Sequence, residues 1–308
     1  MIGEGDLALA RAIGRACYGT EPRVEPVGPS NNALVRLYLA SGIKVLKLAR
    51  PGEPGAVGKE LRLIALLREN ELPAPVVEHA DAVGEAHGRA FFVMTQSGER
   101  TVYDLLGGSG DTASRLLREM GTLQARFHAI CLPSAGTILS DRIEPSDPEP
   151  LLTSLRDVAG ALAEEGLLTV EEHAGFRALR LPPHDGRSLC HGDFHAVQCV
   201  VRMGRIAALI DWEAAWAGNS AIDCAVTQAY LESYASEALV RAWLEGYTAV
   251  RPLPADYARA YLPVRMAQLM GVLRAWREHG AWHGAVAAGR VQRTLDLYRL
   301  YARALDTR

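Results

Sequence analysis

Two stretches near the start of the chain, RVEPVGPSNNALVRLYLA (23–40) and GIKVLKLA (42–49), alternate apolar and polar residues with period two on either side of Ser41-Gly42. Successive side chains of a strand point to opposite faces, so this pattern predicts strand on either side of a tight hairpin. PGEPGAVG then breaks the alternation. KELRLIALLREN (59–70) follows with Leu61, Ile64, Ala65 and Leu67 at helical spacing and an asparagine near its stop. APVVEHA and RAFFVMTQ read as two more strands around a turn at Gly84–Gly88. The first lobe is therefore expected to run β-β-β-α-β-β, with one helix.

After SGER (97–100) the periodicity turns helical. Residues 111–130 and about 148–180 are helix-rich, separated by a loop near 133–148 that contains Pro, Asp and Ser. SLCHGD and QCVVRMGRIAALIDW return briefly to strand with Met203-Gly204 as the turn, and from Ser220 onward helix follows helix. Strands first and helices afterwards predict an α+β chain in two lobes, 1–97 and 98–308. A length of 308 residues favours two lobes over one compact core.

Composition narrows the function classes. With 49% hydrophobic and 22% charged residues the chain is an ordinary globular protein, and a net charge of −3 gives no footing for nucleic acid or an anionic membrane surface. MIGEGDLALARAIGRACYG lacks the basic-then-apolar build of a secretory signal, and no apolar run approaches the ~20 residues needed to span a bilayer. Five cysteines without a C-x-x-C pair fit a reducing cytoplasm and small buried residues. The positive charge is unevenly divided: Lys44, Lys47 and Lys59 are the only lysines, all in one short segment, and arginine serves everywhere else. Lysine is a compact point charge and arginine a broad fork, so lysines kept here suit a phosphate. An arginine-rich coding bias explains the excess but not the clustering.

The polar residues worth weighing lie at strand ends. RIAALIDW delivers Asp211 from a rigid apolar strand, and Asp193 follows the short strand SLC. A hairpin turning at Met203-Gly204 would bring Asp193, Gln198 and Asp211 to one end. There one carboxylate suits a base, and a second with an amide oxygen suits Mg²⁺. An aspartate at a strand end also commonly caps a helix. Val45 and Lys47 share a strand face, and Glu60 opens the helix that follows. A strand lysine paired with a helix glutamate is the phosphate clamp of kinase-type folds, while a plain surface pair is the alternative. Lys44 is the other candidate lysine. VGPSNNALV is glycine-poor, yet Ser30 and Asn31 offer backbone N–H groups and short polar side chains to an anion. His191 and His195 form an H-x-x-x-H pair with no convincing third ligand for zinc.

LCHGDFHAVQCVV … IAALIDWEAAWAGNSAIDCA resembles the catalytic signature of the aminoglycoside phosphotransferase family, small-molecule kinases with a bilobal protein-kinase-like fold. VLKLARPG … KELRLIALLRENELPAPVV, FFVMTQSGERTVYDLL and LQARFHAI resemble its other segments, in order, over roughly residues 25–230. The resemblance implies a small antiparallel-sheet lobe that binds ATP or GTP and a larger helical lobe that binds the acceptor. It implies that Asp193 accepts the proton of the acceptor hydroxyl, that Asp211 holds Mg²⁺ and that Gln198 takes the second metal position. It also implies that Lys47 holds the α/β-phosphates, that Glu60 holds Lys47 and that the backbone near Thr95 and Ser97 meets adenine. His191, His195 and Asp223 would support the loop. Gln198 departs from the family's asparagine: the amide oxygen is kept on an arm one methylene longer.

Family members phosphorylate antibiotics, choline, homoserine and other hydroxylated molecules, so the fold alone does not choose the acceptor. From Ser220 onward eight carboxylates face eleven arginines, with aromatic residues such as Tyr230 and Trp276 between them. That balance suits a neutral or partly apolar acceptor better than a polycation. Glu213, Trp212, Tyr230 and Trp276 are the candidate acceptor contacts, with plain core packing as the alternative for the aromatics. The expected activity is transfer of a γ-phosphate to a hydroxyl of an antibiotic, natural product or metabolite. The competing class is a nucleotide-binding pseudokinase with a regulatory or scaffold role. A protein kinase is disfavoured by the absence of a Gly-rich loop, H-R-D and D-F-G.

Overall fold

The computed structural model describes residues 2–306 apart from 28–32, 54, 109, 146–148, 185, 279, 282–283 and 286–288. The chain opens on helix α1 (Glu4–Tyr18), which ends at Gly19, whose φ of 73° lets its N–H reach back to Arg15 O. Strands β1 (Arg23–Pro26), β2 (Ala33–Leu39) and β3 (Gly42–Leu48) follow, then α2 (Gly55–Glu69), β4 (Val77–Asp81) and β5 (Phe91–Thr95). Among the described residues these strands form an antiparallel sheet in the order β1-β2-β3-β5-β4. Alternation along β2 and β3 sorts the side chains onto two faces. Val35, Leu37, Leu46 and Leu48 meet Ala10 and Ile13 of α1, while Phe92 packs with Val57 and Ile64 of α2 on the other. The expected strand order is present, but among the described residues this part of the chain has two helices rather than one. The β2–β3 loop is Ala40-Ser41, one residue earlier than the Ser41-Gly42 expectation.

The chain continues through β6 (Arg100–Thr101), α3 (Gly110–His128), β7 (Gly136–Ile138), β8 (Ile143–Glu144), α4 (Glu149–Glu164) and α5 (Val170–Arg177). Next come β9 (Ser188–Cys190), β10 (Cys199–Arg202), β11 (Arg205–Leu209) and β12 (Trp216–Gly218). Helices α6 (Ser220–Tyr234), α7 (Glu237–Thr248), α8 (Tyr257–Ala260), α9 (Leu262–Glu278) and α10 (Arg290–Asp306) complete it. Contacts divide the chain into two compact units. The first is Met1–Asp104 with Ile138–Ile143 and Val197–Glu213; the second is Leu105–Thr137, Glu144–Ala196 and Ala214–Arg308. The periodicity predicts a single division of the chain, at 97/98. The hairpin β10–β11 instead returns to the first unit, because β6 pairs with β10 at Thr101–Val200 and Arg100–Val201.

In the second unit, α4, α5, α9 and α10 enclose Leu155, Leu162, Phe176, Met266, Leu269, Leu273, Leu295 and Tyr298. Helices α3 and α7 cross closely at Gly121 and Gly246, where a methyl group on either would run into backbone of the other helix. That close crossing sets His128, the last residue of α3, beside Tyr247. β12 pairs with β9 on one side and β7 on the other, fixing the strand from which the segment after Cys190 leaves. Among the described residues no helix is long and apolar enough to cross a membrane.

Candidate active site

In the first unit the strand-end chemistry collects on Lys47. Its Nζ lies 2.6 Å from Glu60 Oε2 and 3.0 Å from Asp211 Oδ1. The side chains of Lys47 and Glu60 are 7% and 4% exposed, whereas Asp211 is 34% exposed, so the aspartate is the wet edge of the triad. Burial pulls the Lys47 ammonium down, but the Glu60 and Asp211 carboxylates outweigh it and hold the pKa above the ordinary lysine value. Glu60 Oε1 also accepts the Trp212 N–H at 3.2 Å, tying α2 to the residue after Asp211.

Asp211 has φ 67°, a left-handed conformation that aspartate tolerates better than most residues. It turns the carboxylate out of the line of β11. Such backbone costs on the order of 1 kcal/mol and is typically held in place at functional sites. Gln198 ends a 3-10 turn (Ala196–Gln198), and its carbonyl accepts Ile210 N–H at 3.0 Å. Gln198 and Asp211 thus stand at the open end of the β10–β11 hairpin, whose turn at Met203-Gly204 has φ of 51° and 77° as a type I′ turn requires. A carboxylate and an amide oxygen at one hairpin end are the hard donors Mg²⁺ takes, with phosphate and water filling its remaining positions. The residues present fit that ion.

The other lysines are also engaged. Lys44 Nζ meets Glu78 Oε1 at 2.5 Å, and Lys59 Nζ donates to Glu213 O at 2.6 Å. Burial pulls Lys59 down to about 8. All three lysines are buried on the first unit, each as a slender stem ending on an oxygen.

In the second unit the hub is Asp223, fully buried on α6. Its Oδ1 accepts Gly192 N–H at 2.7 Å, and its Oδ2 accepts His191 N–H at 3.3 Å and meets His128 Nε2 at 2.9 Å. His128 Nδ1 lies 2.9 Å from the Tyr247 hydroxyl. Burial pushes the Asp223 carboxyl up, but the hydrogen bonds and charges of His128, His191 and Gly192 reverse it and hold it below the usual range. Burial pulls His128 down against the same carboxylate. A neutral ring donating from Nε2 and accepting from Tyr247 satisfies both contacts. Gly192 has φ 81°, and a Cβ there would collide with Ala214 O, so the segment turns here only with glycine. Asp193 follows directly: its Oδ1 accepts the Tyr230 hydroxyl at 2.6 Å, and its N–H donates to His191 Nδ1 at 3.4 Å.

The remaining expected residues fall as follows. Thr95 N–H is taken by Val76 O at 2.9 Å and its hydroxyl by Glu78 at 2.8 Å, whereas half-buried Ser97 makes no hydrogen bond among the described residues. Ser30 and Asn31 lie outside the described residues. His195 stacks on Tyr230 with centroids 4.4 Å apart. Trp212 is corrected from acceptor contact to core: it is 1% exposed and its indole N–H donates to Leu209 O at 3.2 Å. Trp276 packs against the helical core of the second unit. Glu213 reaches Arg50 at 3.5 Å. Tyr230 is occupied by Asp193 and His195. Tyr234, whose hydroxyl oxygen accepts Ala196 N–H at 3.2 Å, was not singled out as a site residue in the sequence. Its signal was its spacing on α6 from Asp223 and Tyr230.

Residues 26–262 match the model of the phosphotransferase enzyme family. The chain belongs to that family. The fold of this phosphotransferase is that of solved aminoglycoside and macrolide phosphotransferases. A thermostable mutant of aminoglycoside phosphotransferase APH(4)-Ia, in ternary complex with AMP-PNP and hygromycin B, is 13% identical, with TM-score 0.67 over 97% of this chain and 99% of that one. The gentamicin complex of APH(2")-IIa is 15% identical, with TM-score 0.61 over 96% and 97%. Macrolide 2'-phosphotransferase MphH from Brachybacterium faecium is 17% identical, with TM-score 0.57 over 97% and 98%. At these identities the likeness speaks for the protein-kinase-like fold. No curated protein matches the sequence significantly.

Proposed function

We propose that this phosphotransferase moves the γ-phosphate of ATP to a hydroxyl of a small neutral or partly apolar molecule, an antibiotic or a natural product. The observation that carries the reading is the buried Lys47 ammonium bridged by Glu60 and Asp211. A desolvated point charge locked between two carboxylates is built to receive polyphosphate oxygens, not to stabilise the fold, since such pairs are weak contributors to stability. In this reading Lys47 holds the α- and β-phosphates, Glu60 keeps Lys47 in place, and Ser97 supports the nucleobase. Asp211 and Gln198 would hold Mg²⁺, which when bound neutralises charge on the phosphates. Asp193 orients the acceptor hydroxyl and takes its proton. The hydroxyl oxygen bonds to the γ-phosphorus as the bond to the β–γ bridging oxygen breaks, and ADP leaves. Positioning and charge neutralisation supply most of the acceleration.

Incubation with ATP, Mg²⁺ and a panel of hydroxylated acceptors tests this, read by ADP release and product mass. The panel includes hygromycin B, gentamicin, macrolides and simple alcohols of metabolism. One acceptor gaining the mass of a phosphoryl group is the expected result. Tight nucleotide binding with no transfer across the panel would instead make the chain a nucleotide-binding protein without turnover.

A further inference from the structure

Helix α6 carries Asp223, Tyr230 and Tyr234 at i, i+7 and i+11. At about 100° per residue these positions fall within about 20° of one line, spread along about 16 Å of helix. Each side chain meets a different point of the segment 191–196. Asp223 takes Gly192 N–H at 2.7 Å, Tyr230 donates its hydroxyl to Asp193 Oδ1 at 2.6 Å, and Tyr234 accepts Ala196 N–H at 3.2 Å. Tyr230 is itself fixed. Its ring stacks on His195, 26° from parallel with centroids 4.4 Å apart.

We infer that Tyr230 and Tyr234 are positioning residues for Asp193, completing with Asp223 a three-point clamp from one helix face onto the segment that carries the proposed base. An aspartate side chain has three staggered χ1 wells, and a short O–H···O⁻ bond selects one of them. Tyr234 holds the backbone three residues on by accepting Ala196 N–H at 3.2 Å. The geometry therefore assigns Tyr230 to the base and not to the acceptor. The catalytic meaning of the clamp rests on the phosphotransfer reading; the holding of Asp193 does not.

Tyr230→Phe keeps the ring against His195 and deletes only the donor. With the acceptor found by the panel, kcat is expected to fall at least about tenfold while KM for nucleotide and for acceptor stay within about twofold. Tyr234→Phe is expected to lower kcat by a smaller factor. A rise in acceptor KM with kcat unchanged would make Tyr230 an acceptor contact and overturn the inference, as would kcat within about twofold of wild type. A second measurement separates the two levels. In protein with ¹³C-labelled aspartate carboxyls, Tyr230→Phe is expected to move the Asp193 resonance, identified by its loss in Asp193→Ala. A resonance that stays put overturns the clamp. A wild-type protein inert toward every acceptor, with the resonance moving as expected, overturns the phosphotransfer reading alone.

Discussion

Replacing Asp223 by asparagine changes one buried atom from acceptor to donor and leaves the side chain's size unchanged. The cost follows from its partners. Asp223 serves Gly192 N–H at 2.7 Å, His191 N–H at 3.3 Å and His128 Nε2 at 2.9 Å. With the asparagine oxygen kept on Gly192, the new NH₂ faces His128. That ring can move its proton to Nδ1 and donate to the Tyr247 hydroxyl, 2.9 Å away. The histidine contact then survives, but the Gly192 bond becomes neutral and His191 N–H loses this acceptor. Turning a charge-assisted bond into a neutral one costs about 1 kcal/mol and desolvating an N–H about 1–3, so the loss is about 2–4 kcal/mol. Asp223→Ala takes the acceptor from all three, and from Gln124 Nε2 at 3.4 Å, and costs more. At about 2 °C per kcal/mol for a chain of this size, Asp223→Asn lowers the melting temperature by about 4–8 °C at pH 7. Calorimetry or thermal fluorescence reads it. The sign with pH is fixed: the folded pKa of Asp223 is depressed, so its contribution is present above the ordinary value near ~3.9 and fades as pH falls through the lower folded one. An asparagine variant melting within about 1 °C of wild type at pH 7 refutes the hub.

Gln198→Asn shortens the proposed metal arm by one methylene, and the Mg²⁺ concentration for half-maximal transfer is expected to change severalfold; an unchanged requirement removes Gln198 from the metal position. In the Lys44–Glu78–Thr95–Tyr18 cluster, burial pushes the Glu78 carboxyl up, but bonds from Lys44, Tyr18 and Thr95 bring it down to about 2. Its side chain is 26% exposed, so solvent screening leaves about 1 kcal/mol for the charge at pH 7. Urea unfolding of Glu78→Gln is expected to show that deficit at pH 7 and a shrinking one as pH falls below ~4.3 toward the folded pKa, and a pH-independent gap would contradict it.

Much of this was legible in the chain because it is local. Period-two alternation marked β2 and β3, and apolar runs ending in Asp211 and Asp193 marked strand ends before any contact was known. Lys47 and Glu60, thirteen residues apart, read as a clamp because a strand and a helix had already been placed. Helix α1 was not legible: its buried stripe is only Ala10, Ile13 and Gly14, too small to stand out among charged neighbours. The left-handed turn at Asp211 left no trace, since aspartate serves there without glycine. Tyr230 and Trp212 stand in the sequence as candidate acceptor contacts, with core packing as the alternative, because an aromatic shows its size in a sequence but not its partner. One ends on a carboxylate 37 residues upstream, and the other is sealed in the core.

In the proposed reaction Asp193 takes the proton from the acceptor. This step is tested most directly by Asp193→Ala, with transfer to the acceptor and nucleotide affinity measured on the same preparation. Transfer is expected to fall by at least about a thousandfold with nucleotide affinity within about twofold of wild type. Transfer at the wild-type rate in that variant would contradict it.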